Sequence, residues 1–234
     1  MPDLRPGFLP RISGRRFRHL TPSYLYWRIR LAVDKFRHPH DPSLTRQATR
    51  LLTQLIRPGD VGAEWGAGNS TGWFAERSAH LTSFESSPDY YPVVLENLRH
   101  RGLRNVDLQL IQTEWVRDED VLHASDLLVR ARAIPDESLD YALVDMAPRS
   151  CLCAAVMGKL KSGGILVLDN ANWYIPPPAN LRPAPVSSVT SPVGFPGSGM
   201  PENRCMPAFL SATASWRRIW TTDGVSSTLL LFKP

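Results

Sequence analysis

Acidic residues and glycines recur in this chain where short apolar runs stop, and their spacing suits the binding of a polar ligand. The first run ends in Glu64-x-Gly66-x-Gly68, with Asn69, Ser70 and Thr71 directly after it. Glycines let the backbone take positive φ and let a ligand come close to it. The residues after them predict a helix N-terminus, whose free N–H groups attract a polar or anionic ligand. We therefore predict a ligand-binding turn at this point.

Three more acids close predicted strands further along the chain. Glu85 is the last residue of the predicted strand Leu81–Glu85, and Asp145 is the last residue of Leu139–Asp145. Asp169, with Asn170 beside it, directly follows Ile165–Leu168. Ligands of parallel sheets bind at the carboxyl ends of the strands. A carboxylate at such an end can accept hydrogen bonds from two hydroxyl groups at once. These four acids are therefore candidate binding or catalytic groups.

The elements that must position these acids alternate between strand and helix. The alternation predicts an α/β fold with a doubly wound, mostly parallel seven-stranded sheet. A second helix is expected to start at Asp41-Pro42, and Lys161–Gly164 to form a turn. Two apolar runs around Asp223-Gly224, Trp216–Thr222 and Thr228–Phe232, predict a closing antiparallel hairpin.

The E-x-G-x-G pattern at the end of the first strand resembles motif I of the class I S-adenosylmethionine-dependent methyltransferases. The resemblance covers about residues 45–234, and the closing hairpin separates that fold from the dehydrogenase Rossmann fold. It implies S-adenosylmethionine as cofactor, with the glycine turn under its amino-acid part and Glu85 on its ribose. The implied cofactor set is Glu64, Gly66, Gly68, Asn69, Ser70, Thr71, Glu85 and Asp145.

Asp145, Asp169 and Asn170 are the candidate catalytic residues. They are similar to the metal-binding set of the catechol and caffeoyl-CoA O-methyltransferases, which implies a divalent ion such as Mg²⁺ or Ca²⁺. Those enzymes carry a lysine shortly after the first aspartate, whereas this chain has Met146–Arg149. Two alternatives stay open: the aspartates act as catalytic carboxylates while Asn170 orients the acceptor, or Asp169-Asn170 merely caps a loop.

Positive charge is concentrated at the N-terminus. Residues 1–50 carry 11 Lys and Arg against three acids, whereas the remainder carries 16 against 19. We predict a basic helical arm over residues 1–45, ahead of a methyltransferase domain over 46–234. In the arm, Leu25, Ile29, Val33 and Phe36 recur at helical spacing among arginines. The arm is interpreted as a lid over the cofactor cleft, with peripheral membrane contact through residues 15–37 or nucleic-acid binding as alternatives.

The remaining features are a proline-rich segment and three cysteines. Residues 176–207 hold nine prolines and are expected to form a long functional loop. The three cysteines, Cys151, Cys153 and Cys205, predict neither a disulfide framework nor a zinc site, which favours a cytoplasmic protein.

A small-molecule or sugar-like acceptor is the first expectation for the function. A nucleic-acid methyltransferase or binding module, an NAD-dependent oxidoreductase and a non-catalytic relative are the alternatives.

Overall fold

The computed structural model of the protein describes residues 22–111, 125–175 and 201–234. Its centre is a seven-stranded sheet in the order β3-β2-β1-β4-β5-β7-β6. The strands are β1 (Val61–Trp65), β2 (His80–Glu85), β3 (Val106–Leu110), β4 (Leu139–Val144), β5 (Leu160–Leu168), β6 (Arg217–Thr222) and β7 (Ser227–Phe232). Strand β7 runs antiparallel to both its neighbours, and β1 to β5 pair in parallel. The predicted sheet and its closing hairpin are confirmed.

Helices cover both faces of the sheet. In the described residues they are α1 (Pro22–Arg37), α2 (Arg46–Leu55), α3 (Asn69–Ala75), α4 (Tyr91–His100), α5 (Asp126–Ala133), α6 (Arg149–Val156) and α7 (Pro201–Ala212). Short 3-10 turns follow at Met157–Lys159 and Ala171–Trp173. None of these helices is long and apolar enough to cross a membrane.

Several element boundaries differ from the prediction. Helix α2 begins at Arg46 rather than at Asp41-Pro42, because Thr45 caps it by accepting from the backbone N–H of Ala48. The predicted turn at 161–164 is part of β5, where a register irregularity opposite Leu139–Tyr141 absorbs the glycines. Helix α7 begins at Pro201, inside the segment predicted as a loop. The structure does not describe residues 1–21, 112–124 and 176–200. The predictions made for these residues therefore stay predictions.

Two apolar layers hold the helices on the sheet. The larger layer packs α5, α6 and α7 on one face through buried residues such as Leu128, Leu152 and Phe209. The other face carries α2 and α3 through Leu52 and Phe74. Both layers bury large apolar side chains completely, so the sheet is a fixed platform for the loops at its carboxyl edge.

One contact inside the second layer restricts β1. The ring of Tyr141 stacks on Phe74, with 4.8 Å between the ring centroids, and its hydroxyl pairs with that of Ser78 at 2.9 Å. A Cβ atom on Gly62 would lie 2.0 Å from the Cζ atom of this ring. Gly62 is therefore a packing requirement of the sheet, not part of the predicted ligand-binding turn.

A disulfide joins Cys151 of α6 to Cys205 of α7, a pairing that the cysteine spacing did not predict. The two cysteines lie 54 residues apart, and only the packing of α6 on α7 brings them together. Cys153, the free cysteine, is buried, and burial raises the pKa of its thiol to about 12. Cys153 therefore remains a protonated core side chain at neutral pH.

Candidate functional site

The four strand-end acids lie on adjoining strands at one edge of the sheet. Trp65, the last residue of β1, pairs with Phe84 of β2 on one side and with Val144 of β4 on the other. Val144 pairs in turn with Leu168 of β5. The acids at or directly after these residues, namely Glu85, Asp145 and Asp169, therefore follow one another along the carboxyl edge, and Glu64 is one residue short of it.

The glycine turn lies between the Glu85 end and the Asp145 end. Gly66 has φ +105°, and a Cβ atom there would lie 3.1 Å from the backbone carbonyl of Asp145. Only glycine meets both conditions without strain. The backbone N–H of Gly68 donates to the Thr71 hydroxyl at 2.9 Å. This bond fixes the conformation of the turn.

Glu64 supports the turn from below. It is fully buried, and its Oε2 accepts from the hydroxyls of Thr71 at 2.6 Å and Ser83 at 2.7 Å. Within the described residues, Oε1 has no hydrogen-bond partner. Burial raises the pKa of Glu64 to about 7, although nearby hydroxyls offset part of the rise. Glu64, Thr71 and the buried Ser70 are thus inside the protein, whereas the resemblance implies cofactor contact for them.

Glu85 is held in a different way, by the backbone. Its Oε1 accepts from the N–H groups of Ser86 at 2.8 Å and Ser87 at 2.7 Å. These bonds fix the carboxylate at the end of β2, next to the glycine turn. Tyr90 completes this side of the site, because its hydroxyl lies 3.7 Å from where a Cβ atom on Gly68 would be. Sequence reasoning missed Tyr90, which belongs to no motif.

Arg149, at the start of α6, organises the other side of the edge. Its Nη2 donates to the Asp145 carboxylate at 2.5 Å, to the Asp145 carbonyl at 2.9 Å and to Asn170 Oδ1 at 2.9 Å. Its Nη1 lies 3.4 Å from the Tyr174 hydroxyl. One guanidinium thus joins two of the predicted catalytic residues. The sequence signal that could have found it is the Asp-x-x-x-Arg spacing, which suits an ion pair at i, i+4.

The charges of this cluster depend on one another. Burial disfavours the charged form of Arg149, but Asp145, Tyr174 and Asp169 together raise its pKa. Burial raises the pKa of Asp169 well above its usual range, and the charge of Asp145 adds to the rise, while Arg149 opposes it. Asp145 is the accessible carboxylate, since its side chain is 28% exposed whereas Asp169 is 3% exposed.

Asn170 and Asp169 also contact the closing hairpin. Asn170 has a left-handed backbone, and its Nδ2 donates to the Ser226 hydroxyl at 2.8 Å. The Thr228 hydroxyl donates to Asp169 Oδ1 at 2.9 Å. Asn170 is therefore held at both ends of its amide, by Ser226 and by Arg149. These two bonds connect Asn170 to α6 and to the turn between β6 and β7.

The oxygens that the resemblance assigns to a divalent ion do not fit a metal site in this chain. Asp145 Oδ1 and Asn170 Oδ1 already accept from the same nitrogen of Arg149. Asp169 Oδ1 accepts from Thr228. The described part of the chain holds no group of three or more His, Cys, Asp or Glu side chains that could bind a metal. The positive charge beside Asp145 and Asn170 is that of the Arg149 guanidinium.

The N-terminal arm reaches both sides of the site. The Asn69 side chain donates to the backbone carbonyl of Pro39 at 2.9 Å, which connects the glycine turn to the segment after α1. At the other end, the Trp27 ring lies against Gly224 in the turn between β6 and β7, 2.5 Å from where a Cβ atom would be. Asn69 therefore holds the arm, whereas the resemblance implies that it binds the cofactor.

No protein-family model and no curated protein matches this chain in sequence. Solved structures are similar to it in fold. A provisionally named caffeoyl-CoA O-methyltransferase from Staphylococcus aureus is 15% identical, with a TM-score of 0.54 over 93% of this chain and 95% of that one. A provisionally named methyltransferase from Streptococcus mutans, solved with SAH, is 11% identical, with a TM-score of 0.52 over 82% and 99%.

A third structure, a provisionally named rRNA methylase from Clostridium thermocellum, is 12% identical, with a TM-score of 0.51 over 80% and 94% of the two chains. The likeness thus extends over most of each chain, although the identity is low. The strand order and the antiparallel β7 agree with it. The chain has the fold of the class I S-adenosylmethionine-dependent methyltransferases.

Proposed function

We propose that this protein transfers a methyl group from S-adenosylmethionine to an oxygen or nitrogen of a small-molecule or sugar-like acceptor. The observation that carries the proposal is the Glu85 carboxylate, held by two backbone N–H groups beside the Gly66 turn. A carboxylate fixed in this way suits a pair of ribose hydroxyls. Gly66 and Gly68 leave the room that an approaching cofactor needs.

When bound, S-adenosylmethionine supplies a sulfonium methyl group that an acceptor oxygen or nitrogen can displace in line. Such a reaction depends mainly on the position of the acceptor and, for a hydroxyl or protonated amine, on a base. In this proposal Asp145 takes the acceptor proton, because it is the accessible carboxylate of the pair. Arg149 and Asn170 position it, and Asp169 supports them from within the core.

An RNA acceptor is the second candidate. Two observations favour it: the excess of basic residues in the arm and the fold likeness to an rRNA methylase. RNA binding of this kind would weaken steeply with salt, since it rests on phosphate contacts. An NAD-dependent reaction is disfavoured by the Gly66-x-Gly68-x-x-x-Gly72 spacing, which is one residue longer than the dinucleotide fingerprint.

Calorimetry with the full chain tests the cofactor. We expect saturable binding of S-adenosylmethionine and of its demethylated product, and no binding of NAD. Binding of NAD alone would overturn the proposal. Once the cofactor is established, methyl transfer from labelled S-adenosylmethionine to hydroxyl-bearing small molecules, compared with transfer to bulk RNA, distinguishes the two acceptor classes.

A further inference from the structure

Helix α1 presents an apolar stripe to the outside of the molecule. Phe36 is 86% exposed, Leu25 58% and Ile29 57%. Nine large apolar side chains in the described residues are exposed, and five of them belong to this helix: Leu25, Tyr26, Ile29, Val33 and Phe36. At 100° per residue, these five lie on one side of α1. So dense an exposed patch on one helix marks an interaction site rather than ordinary surface.

The opposite side of α1 faces the domain. Trp27 lies against Gly224, and Asp34 pairs with Arg46 of α2 at 2.8 Å. Asp34 is also the single acidic residue of the helix sequence. Because these contacts fix the rotation of α1, the apolar stripe cannot turn inward without breaking them.

Basic residues line both edges of the stripe. On the helical projection, Arg30 and Arg37 lie along one edge, while Arg28 and Lys35 lie along the other. All four side chains are exposed. Long basic side chains at the edges of an apolar helix face can extend to anionic head groups while their stems cover apolar surface. The outer side of α1 thus combines apolar area with positive charge and carries no acid.

We propose that α1 binds the surface of an anionic phospholipid bilayer, lying in the plane of the head groups with its apolar stripe inserted. A helix with this division of charged and apolar sides binds an interface rather than spanning it. Nucleic acid would engage the basic edges but leave Leu25, Ile29 and Phe36 in water. A second copy of the chain would cover the stripe but bring like charges together at its edges. The apolar stripe lies outside the carboxyl edge of the sheet, and its binding to a bilayer does not depend on methyl transfer.

Co-sedimentation of the full chain with vesicles tests this. With vesicles of equal parts phosphatidylcholine and phosphatidylserine, Phe36→Asp should weaken binding by ~10-fold or more, because a charge replaces the most exposed apolar group. The matched control is Val129→Asp, which places the same charge on an exposed apolar position of α5 and should bind as the wild type does.

The basic edges give a second measurement. Lys35→Gln and Arg37→Gln should each weaken binding to the same vesicles by about 5-fold, and added salt should weaken the wild type further. Vesicles of phosphatidylcholine alone should retain little protein.

Three results would overturn the proposal. One is equal loss of binding in Phe36→Asp and Val129→Asp. Another is binding of the wild type to RNA but not to either vesicle. The third is concentration-dependent self-association that Phe36→Asp abolishes while neither vesicle is bound. Circular dichroism of each variant confirms that the fold is retained, and a solvent-exposed site makes that the expected result.

Discussion

The carboxyl edge of the sheet has two halves that hold their acids by different means. At the ends of β1 and β2, neutral donors hold the carboxylates: hydroxyls for Glu64 and backbone N–H groups for Glu85. At the ends of β4 and β5, the charged guanidinium of Arg149 holds Asp145 and Asn170 together. The contacts named for the first half are thus to neutral groups, whereas those named for the second half include a guanidinium.

This difference predicts how each half responds to substitution. A carboxylate held by neutral donors can lose its charge without leaving an opposite charge behind. The Arg149–Asp145 ion pair cannot lose one charge in this way, because removing one partner leaves the other charged and unpaired in a poorly solvated place. Substitutions in the β4–β5 half should therefore affect stability as well as turnover, whereas substitution of Glu85 should act mainly on ligand affinity.

The largest expected effect is at Arg149. Arg149→Met should lower the free energy of unfolding by roughly 3–5 kcal/mol, because Asp145 loses its cation while Asn170 and Tyr174 lose a hydrogen-bond donor. Urea denaturation at neutral pH measures the change. Arg149→Lys, which keeps the charge but not the forked donor, is the control and should lose less. If Arg149→Met is as stable as the wild type, the guanidinium does not hold this half together.

Metal binding by the wild-type protein tests whether Arg149 occupies the place of a metal ion. Wild-type protein should not bind Mn²⁺ in calorimetry, since Arg149 already uses the oxygens of Asp145 and Asn170. Tight Mn²⁺ binding to the wild type that Asp145→Asn abolishes would contradict this reading.

The pH dependence of stability tests Glu64, which belongs to the first half of the edge. Its pKa is about 7 in the folded protein against a usual value of 4.5, so the folded state retains a proton that the unfolded state releases. The stability that Glu64 contributes is thus present below pH 4.5 and is lost as pH rises to 7 and beyond. The loss should total about 3 kcal/mol, and Glu64→Gln should remove it. Urea denaturation at pH 5 and pH 8 measures the effect, with the exposed Glu96→Gln as control.

Asp145→Asn tests the proposed base. The variant should remain folded but less stable, because Arg149 loses its charged partner, and it should keep most of its affinity for S-adenosylmethionine. Turnover should fall by ~10²-fold, the scale of a positioned base. Labelled methyl transfer and calorimetry separate the two quantities. Normal turnover in the folded variant would mean that Asp145 has only a structural role.

The smallest expected effect is at Glu85. Glu85→Ala should weaken S-adenosylmethionine binding by about 1.5–3 kcal/mol, the usual worth of hydrogen bonds to a charged group, while the melting temperature changes little. Asp107→Ala, an exposed acid on the neighbouring strand β3, is the matched control. Undiminished affinity in Glu85→Ala would remove the main support for the cofactor assignment.

The sequence predicted the strand ends well because they are marked locally, by apolar runs that stop at glycines or acids. Gly66, Glu85, Asp145 and Asp169 were found in that way. The role of Arg149 was missed because it depends on a side chain that folds back from α6 onto the strand end. Sequence periodicity showed that α1 has an apolar side, but a pattern on one helix does not say which side meets the domain. The pairing of Cys151 with Cys205 likewise depends on how α6 and α7 pack.

The stacking of Tyr141 under Gly62 also bears on how this sequence can change over time. A side chain at position 62 would collide with the ring unless residue 141 became smaller in the same step. A smaller residue alone would leave a cavity next to Phe74. Each single substitution therefore gives a less stable protein. Positions 62 and 141, which are 79 residues apart in the sequence, can change without this loss only together.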